Sequence, residues 1–496
     1  MRCAKYTWGA YWSYFLGGSY FPSSGFNGRR PDGMMSEFDT ITATRNPSID
    51  IKDTARMNAR KIVKMLIPTG IFEAIEPTGH QAEAVLRHAA AGFPAKGMRV
   101  IGVTGTNGKT STALMIHKML STAGIKTGIM TTVAYGIDSD IRNQVQHYTN
   151  VPVPELLRRL KWMKAQGIDW LVLESTSQGL AQHRLWGIPY SVAVMTNITH
   201  EHLDYHKTFE RYVEAKRLLF RRTARNTEGL QVGIANIDDP NGEYFAKTTP
   251  HPVLYGIKRG DVHAKDITLT PTGSDFTVVT SDETYHIRCN IPGGFYVQNA
   301  LAAVCVGRAL GLTKQQIERG IAALQSIDGR MTAINEGQPF SAIVDYAHTP
   351  DSFEKLFKDM RPIVKGKLIV VFGSAGRRDE AKRATQGELA GKYADEVIVT
   401  EEDDRDIDGM EIMDQIAQGA EKAGKRRDKN LFLVHDRTKA IQFAIKRAQK
   451  GDTVLFLGKG HEKTIERSAG EYPWDEIGTV QAAIRALAKD KTPSTR

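Results

Sequence analysis

From Arg99 onward, apolar residues fall in short runs that alternate with stretches of helical period. Arg99–Thr104 reads as a buried strand ending in glycine-rich sequence. Thr110–Thr122 sets Leu114, Ile116 and Leu120 among polar residues, which predicts a helix that Gly124 is placed to end. Ile125–Thr131 follows as a second strand. A further helix is predicted from about Pro154 to Gln166, with Leu156, Leu160 and Met163 on one face and Gly167 after it. Ile168–Leu173 and Ser191–Thr196 are the next strands. Such alternation of helices with continuously apolar strands predicts a mainly parallel sheet in an α/β domain. Residues 252–290 change period to two, in Phe276–Thr280 and Tyr285–Cys289, which predicts a small β subdomain. A second α/β block starts near Ser341, with strands Ala342–Asp345, Lys367–Phe372, Glu396–Thr400, Leu431–Val434 and Thr453–Leu457. Its boundary falls in Ser326–Pro339.

The chain has 496 residues, enough for about three domains at ~150 residues each. The divisions expected are an N-terminal extension (1–97), a central domain (98–328) and a C-terminal domain (329–490). Residues 1 to about 55 are rich in aromatic residues, Gly and Ser and are read as a poorly ordered extension, with Met57 or Met65 as an alternative start. They hold no basic stretch followed by an apolar core of about 7–15 residues, so no secretory signal is expected. No apolar run is long enough for membrane insertion. Cys3, Cys289 and Cys305 are too few and too scattered for a disulfide framework, which fits a cytoplasmic protein. The net charge of +10 admits nucleic acid as a partner, but the Lys and Arg residues are scattered and form no run of five. No nucleic acid is expected.

The strongest chemical signal is Gly105-Thr106-Asn107-Gly108-Lys109-Thr110, set between a strand and a helix. A loop of this kind turns backbone N–H groups toward phosphate oxygens, and the helix N-terminus adds partial positive charge. Lys109 would meet the outer phosphates and the Thr110 hydroxyl would ligate Mg²⁺. Glu174 closes one neighbouring strand and His202 follows another. Ligands of parallel sheets sit beyond the carboxyl ends of strands, so these groups can converge as Mg²⁺ ligands beside phosphate. His200, His202, His206 and Asp204 also admit zinc, but the phosphate loop favours Mg²⁺.

These residues lie in segments that resemble the ATP-dependent Mur ligases, most closely their E-type, which makes UDP-N-acetylmuramoyl-tripeptide. The segments are GVTGTNGKTST (102–112), LESTSQGL (173–180), TNITHEHLDYHKTFERYVEAKRLLF (196–220), GGFYVQNALAA (293–303), VDYAHTPDSFEKL (344–356), VFGSAGRRDEAKR (371–383) and GKGHE (458–462). The resemblance implies a central P-loop ATPase-like domain followed by a Rossmann-like C-terminal domain. It implies transfer of the ATP γ-phosphate to a carboxylate, then attack by the amine of an incoming amino acid. ATP and Mg²⁺ are the implied cofactors. A UDP-muramoyl-peptide and an amino acid are the implied partners, and a monomer is expected. By match, Gly105 to Ser111 hold the nucleotide phosphates, and Glu174, His202 and a carbamylated Lys216 hold Mg²⁺. Asn299 matches the adenine contact, and Arg330, Asp345 and His348 match ATP-binding positions. Arg378, Lys382 and Arg383 match a basic segment near the substrates. Arg405 matches the partner of the acceptor carboxylate, and Gly458 and Glu462 match positions near its distal amine.

Four features depart from the family pattern. The usual N-terminal UDP-binding domain is not recognisable, and residues 66–97 stand where a shortened substitute would lie. Glu402-Asp403-Asp404-Arg405 replaces the Asp-Asn-Pro-Arg of members that add meso-diaminopimelate, which leaves that acceptor and lysine both open. Tyr296 and Gln298 stand where Asn and Ser are usual, and Thr149–Glu155 matches the family's Thr-Thr-Pro-Glu only loosely. A folylpolyglutamate synthase-like ligase, a nucleic-acid-binding ATPase and a non-catalytic regulator on the same fold are the alternatives.

Overall fold

The computed structural model describes residues 83–144, 149–270, 272–377 and 380–490. Arg378, the first 82 residues with their proposed alternative starts, and most of the stretch offered as a UDP-binding substitute lie outside the described residues.

Strand and helix periods are realised in two sheets. The first has eleven strands: β1 (Val100–Thr104), β2 (Thr127–Met130), β3 (Ala134–Ile137), β4 (Asp140–Asn143), β5 (Trp170–Glu174), β6 (Tyr190–Met195), β7 (Val232–Asn236), β8 (His251–Gly256), β9 (Val262–Thr270), β10 (Gly273–Val279) and β11 (Thr284–Cys289). Their order is β11-β10-β9-β8-β7-β6-β1-β5-β2-β3-β4. The strands from β8 to β2 in that order run parallel. The alternating segment at 252–290 continues this same sheet: β9, β10 and β11 pair antiparallel, and β9 joins β8 through Tyr255 and Gly256. The second sheet contains β12 (Thr332–Ile334), β13 (Ser341–Asp345), β14 (Leu368–Phe372), β15 (Glu396–Val399), β16 (Leu431–Leu433) and β17 (Thr453–Leu457), in the order β12-β13-β17-β14-β15-β16. All but the edge strand β12 are parallel. A hairpin, β18 (Thr464–Arg467) with β19 (Gly470–Pro473), follows β17.

The central strands are apolar throughout because both faces are covered. Ile101 and Val103 of β1 pack with helices Lys109–Thr122 and Phe295–Ala309, whereas Val100 packs with helices Val153–Ala165 and Phe209–Arg225 on the other face. The first of these clusters continues into the second sheet, through Ile343, Phe353 and Val370. Tyr296, one of the departures from the family pattern, belongs to this core and is 1% exposed. The glycines read as helix stops do that work: Gly124 (φ 84) and Gly167 (φ 69) both adopt the left-handed conformation, and Ile125 N and Ile168 N close back onto Leu120 O and Met163 O. Observed strand ends fall within two residues of the predicted ones, except that β10 starts at Gly273, three residues before the predicted Phe276.

His117 lies on the inner face of helix Lys109–Thr122, its Nε2 3.1 Å from Thr127 O. Burial is the main cause that brings its pKa down to about 4. The unfolded chain therefore takes up a proton near pH 6.5 that the folded chain refuses, and stability declines as pH falls from 6.5 to 4. The decline attributable to His117 is up to about 3 kcal/mol. Denaturant unfolding at pH 7.5 and pH 5 should show it, and His117→Gln should reduce the difference. An equal pH dependence in the two proteins would contradict the assignment.

Candidate active site

The loop after β1 is locked to the segment after β6. Thr106 N donates to Asn197 O at 2.7 Å, Asn107 N to Asn197 Oδ1 at 2.9 Å, and Thr196 Oγ1 to Asn107 O at 2.6 Å. Thr199 N donates to Thr106 Oγ1, which also lies 2.9 Å from the Tyr212 hydroxyl. Gly105 (φ 146) and Gly108 (φ 83) are required by space as well as by conformation. A Cβ would lie 1.9 Å from Thr196 Oγ1 at Gly105 and 2.6 Å from Asn299 Oδ1 at Gly108. Helix Lys109–Thr122 starts at Gly108 with no side-chain cap, so its first N–H groups face the loop. Lys109 Nζ rests on Thr106 O at 2.8 Å. Asn299 Nδ2 is buried against this loop without a hydrogen-bond partner. Nucleotide phosphates fit this cradle of closely approaching backbone and spare donors.

Beneath the loop, Glu174 at the end of β5 is 1% exposed. Its Oε2 accepts from Thr110 Oγ1 at 2.9 Å, Thr132 N at 2.9 Å and Thr132 Oγ1 at 3.1 Å. Asn150 holds the same strand end, with Nδ2 donating to Glu174 O at 2.7 Å. Asn150 thus gives the loosely matched Thr149–Glu155 segment a structural anchor.

Lys216, on helix Phe209–Arg225, is 2% exposed. Its Nζ donates to Gly105 O at 2.5 Å and lies 4.5 Å from the Tyr212 ring centroid. Burial first, with Lys109 adding like charge, drives its pKa well below the usual lysine value, against the pull of Glu201 and Glu174. Glu201 is the residue that sequence reasoning passed over, although it adjoins His202. Burial opposes its charge, yet His202, Lys109, His348 and Lys216 together hold its carboxyl below the ordinary range. His202 Nε2 lies 3.8 Å from Glu201 Oε2, and His202 takes the left-handed conformation (φ 55). His200 stacks on Phe209 and His206 packs on Tyr212, so the histidines of this segment do not gather as a zinc set. Among the described residues, the one cluster with metal-ligand spacing is Glu401, Asp404 and His435, elsewhere in the fold.

The second sheet brings its own strand ends to the same place. Asp345, at the end of β13, accepts from Met331 N and Ala347 N at 2.7 Å each. Burial raises its pKa, and the Arg330 charge opposes this. Arg330 lies over the Tyr346 ring at 4.6 Å, with Nε buried and unpartnered. His348 is held at a pKa of about 4 by burial first and by Lys382 second, and feels Glu201 of the first sheet. Lys382 Nζ donates to His348 O at 3.2 Å. A second residue missed from sequence, Asp351, ties the domains directly: it accepts from Asn107 Nδ2 at 2.7 Å.

Farther along, the segment after β15 meets the segment after β17. Arg437 is fully buried and joins them, donating to Glu401 O at 3.0 Å and Leu457 O at 2.8 Å while paired with Glu476. Lys459, also unassigned from sequence, is shared between Asp403 Oδ1 at 2.8 Å and Glu462 Oε2 at 2.6 Å. Gly458 (φ 102) lies against Glu402. Arg383 is 1% exposed and donates to Gln415. Arg405 is engaged with Glu466 rather than turned to open space.

A phosphate loop, a buried carboxylate under its threonine and a buried lysine beside it define a nucleotide-dependent enzyme in which a second α/β sheet completes the site. Residues 103–307 match the Mur ligase middle domain, and residues 329–460 match the Mur ligase glutamate ligase domain. A UDP-N-acetylmuramyl-tripeptide synthetase of Roseiflexus sp. is 40% identical over 83% of this chain and 83% of its own. A UDP-N-acetylmuramoyl-L-alanyl-D-glutamate–2,6-diaminopimelate ligase of Bacillus velezensis is 38% identical over 82% and 83%. A solved structure of a ligase with that same name superposes with a TM-score of 0.59 at 30% identity, covering 84% of this chain and 83% of that one. The chain belongs to the Mur ligase family, whose members are ATP-dependent acid–amino-acid ligases. Among the described residues, no helix is long and apolar enough to cross a membrane.

Proposed function

We propose that this chain joins an amino acid, a diamino acid, to a UDP-N-acetylmuramoyl-dipeptide-like precursor at the expense of ATP, in peptidoglycan synthesis. The observation that carries the reading is the convergence on Glu201 of Lys109, Lys216 and His202 from the first sheet and His348 from the second. A carboxylate is a poor electrophile, and phosphorylation makes one of its oxygens a leaving group. The loop amides and Lys109 would orient the triphosphate and offset charge as the terminal phosphoryl group passes to the substrate carboxylate. The amine of the acceptor then attacks the acyl carbon, and collapse of the tetrahedral adduct breaks the bond to phosphate. Arg330, Asp345 and His348 would contact the nucleotide from the second sheet, and Asn299 would meet it from helix Phe295–Ala309.

Thr110, Glu174, His202 and Lys216 would suit Mg²⁺ once Lys216 is a carbamate: its lowered pKa favours the free amine, which can add CO₂ and release a proton to become an anion. A carbamate keeps one N–H, so its bond to Gly105 O can persist. Mg²⁺ held there would neutralise phosphate charge during transfer. The reading divides the chain at 97 and 328 and assigns acceptor contacts to Arg378, Lys382, Gly458 and Glu462, with Arg405 beside them paired to Glu466. It includes a monomeric cytoplasmic enzyme, in keeping with the buried free thiols of Cys289 and Cys305.

Phosphate release by the purified full chain tests the proposal. UDP-muramoyl precursors of different peptide length would be crossed with meso-diaminopimelate, lysine and ornithine. Release that depends on a UDP-muramoyl-dipeptide and an amino acid is expected. Release only with a folate and glutamate, or none with any pair, would overturn it.

A further inference from the structure

Building on the ligase reading, we propose that Glu466 selects the acceptor, by occupying the arginine that would otherwise read a second carboxylate, and that the acceptor is a diamino acid with a single carboxylate, of the lysine or ornithine class. Arg405 Nε donates to Glu466 Oε2 at 2.7 Å, and Arg405 Nη1 donates to Gly376 O at 2.5 Å. Backbone bonds flank this pair. Arg405 N donates to Glu466 O at 3.1 Å, and Glu466 N donates to Asp403 Oδ1 at 2.9 Å. The next residue of the hairpin, Arg467, grips Glu401 through two bonds of 2.7 and 2.8 Å. Strand β18 is thereby fastened along 401–405, and the carboxylate of Glu466 is delivered to Arg405 by the fold.

The surrounding charges point the same way. Lys459, 1% exposed in its side chain, serves both Asp403 and Glu462. One ammonium against two carboxylates leaves an excess of negative charge, beside an Arg405–Glu466 pair that is neutral as a unit. Glu402 is 7% exposed, and its Oε2 has no hydrogen-bond partner and lies 2.6 Å from where a Cβ on Gly458 would stand. An acceptor with a side-chain ammonium finds acceptor oxygens and attractive charge here. An acceptor with an added distal carboxylate must displace Glu466 from Arg405 and meet the excess negative charge, which is discrimination by an opposing element.

The test compares kcat/KM for L-lysine, L-ornithine and meso-diaminopimelate, read by phosphate release with saturating UDP-muramoyl-dipeptide, in the full-length protein. The natural chain should prefer lysine or ornithine. Glu466→Gln keeps the side-chain length and both backbone bonds, and should raise the diaminopimelate-to-lysine ratio about three- to fivefold, the range of a part-exposed ion pair. The change should fall on KM for diaminopimelate rather than on kcat. Adding Arg405→Gln to that variant should return the ratio to its starting value. Glu466→Asp, which shortens the reach of the carboxylate, should give a smaller gain and serves if the glutamine variant does not fold. A natural preference for diaminopimelate, or an unmoved ratio in both Glu466 variants, would overturn the inference while leaving the ligase reading intact. Release with none of the three acceptors would remove the ligase reading and the inference with it.

Discussion

Lys109→Ala is expected to lower ATP-dependent turnover by about two to three orders of magnitude, with no comparable loss of folding stability. The loop does not depend on this side chain for its shape. Its backbone is held by Thr196, Asn197 and Thr199, and Lys109 contributes only a bond to Thr106 O. What disappears is a mobile positive charge at the mouth of a cradle otherwise made of neutral amides. Glu201 also loses one of the cations that hold its carboxyl ionised. Phosphate release and thermal unfolding, measured on the same preparation, separate the two consequences. Undiminished activity would mean that the outer phosphates lie elsewhere.

Lys216→Ala should cost roughly two orders of magnitude in turnover, and short carboxylic acids such as acetate should restore part of it. The reasoning rests on the state of the amine. Burial to 2% exposure and the neighbouring Lys109 both favour the uncharged amine of Lys216 over its ammonium form. An amine that adds CO₂ and releases a proton becomes a carbamate anion, and a small carboxylate diffusing into the space left by alanine would supply the same charge. Lys216→Arg separates this from a plain cationic role, because a guanidinium keeps the charge and does not form a carbamate. That variant should be inactive and should not respond to acetate. An active arginine variant would refute the carbamate.

The local parts of this protein were legible without coordinates. The loop Gly105–Thr110 announces itself because left-handed glycines, a helix start and a buried strand are demands made within about ten residues. Glu174 and His202 were put forward because strand ends of a parallel sheet are the places where ligands sit. Glu201 was in plain view beside His202, but nothing in its neighbours along the chain shows that Lys109, Lys216 and His348 also gather around it. Asp351 and Lys459 were hidden for the same reason: their partners, Asn107 and Asp403, are far away in sequence. Arg405 shows the converse limit. Its type and position suggest a free fork for a carboxylate, and the hairpin that fills that fork follows it by some sixty residues.

By itself, then, the sequence determined the parallel strands at the centre of each sheet, the glycine-rich loop between strand and helix, and the family to which the chain belongs, because apolar period and glycine conformation are set by near neighbours; that the alternating segment at 252–290 joins the first sheet needed the tertiary structure. Tertiary structure alone decided that Lys216 is buried beside Lys109, that Asp351 meets the loop from the second sheet, and that Arg405 is already paired. Those properties depend on burial and on charges brought together across the fold, and electrostatic energy is governed by distance in space rather than along the chain.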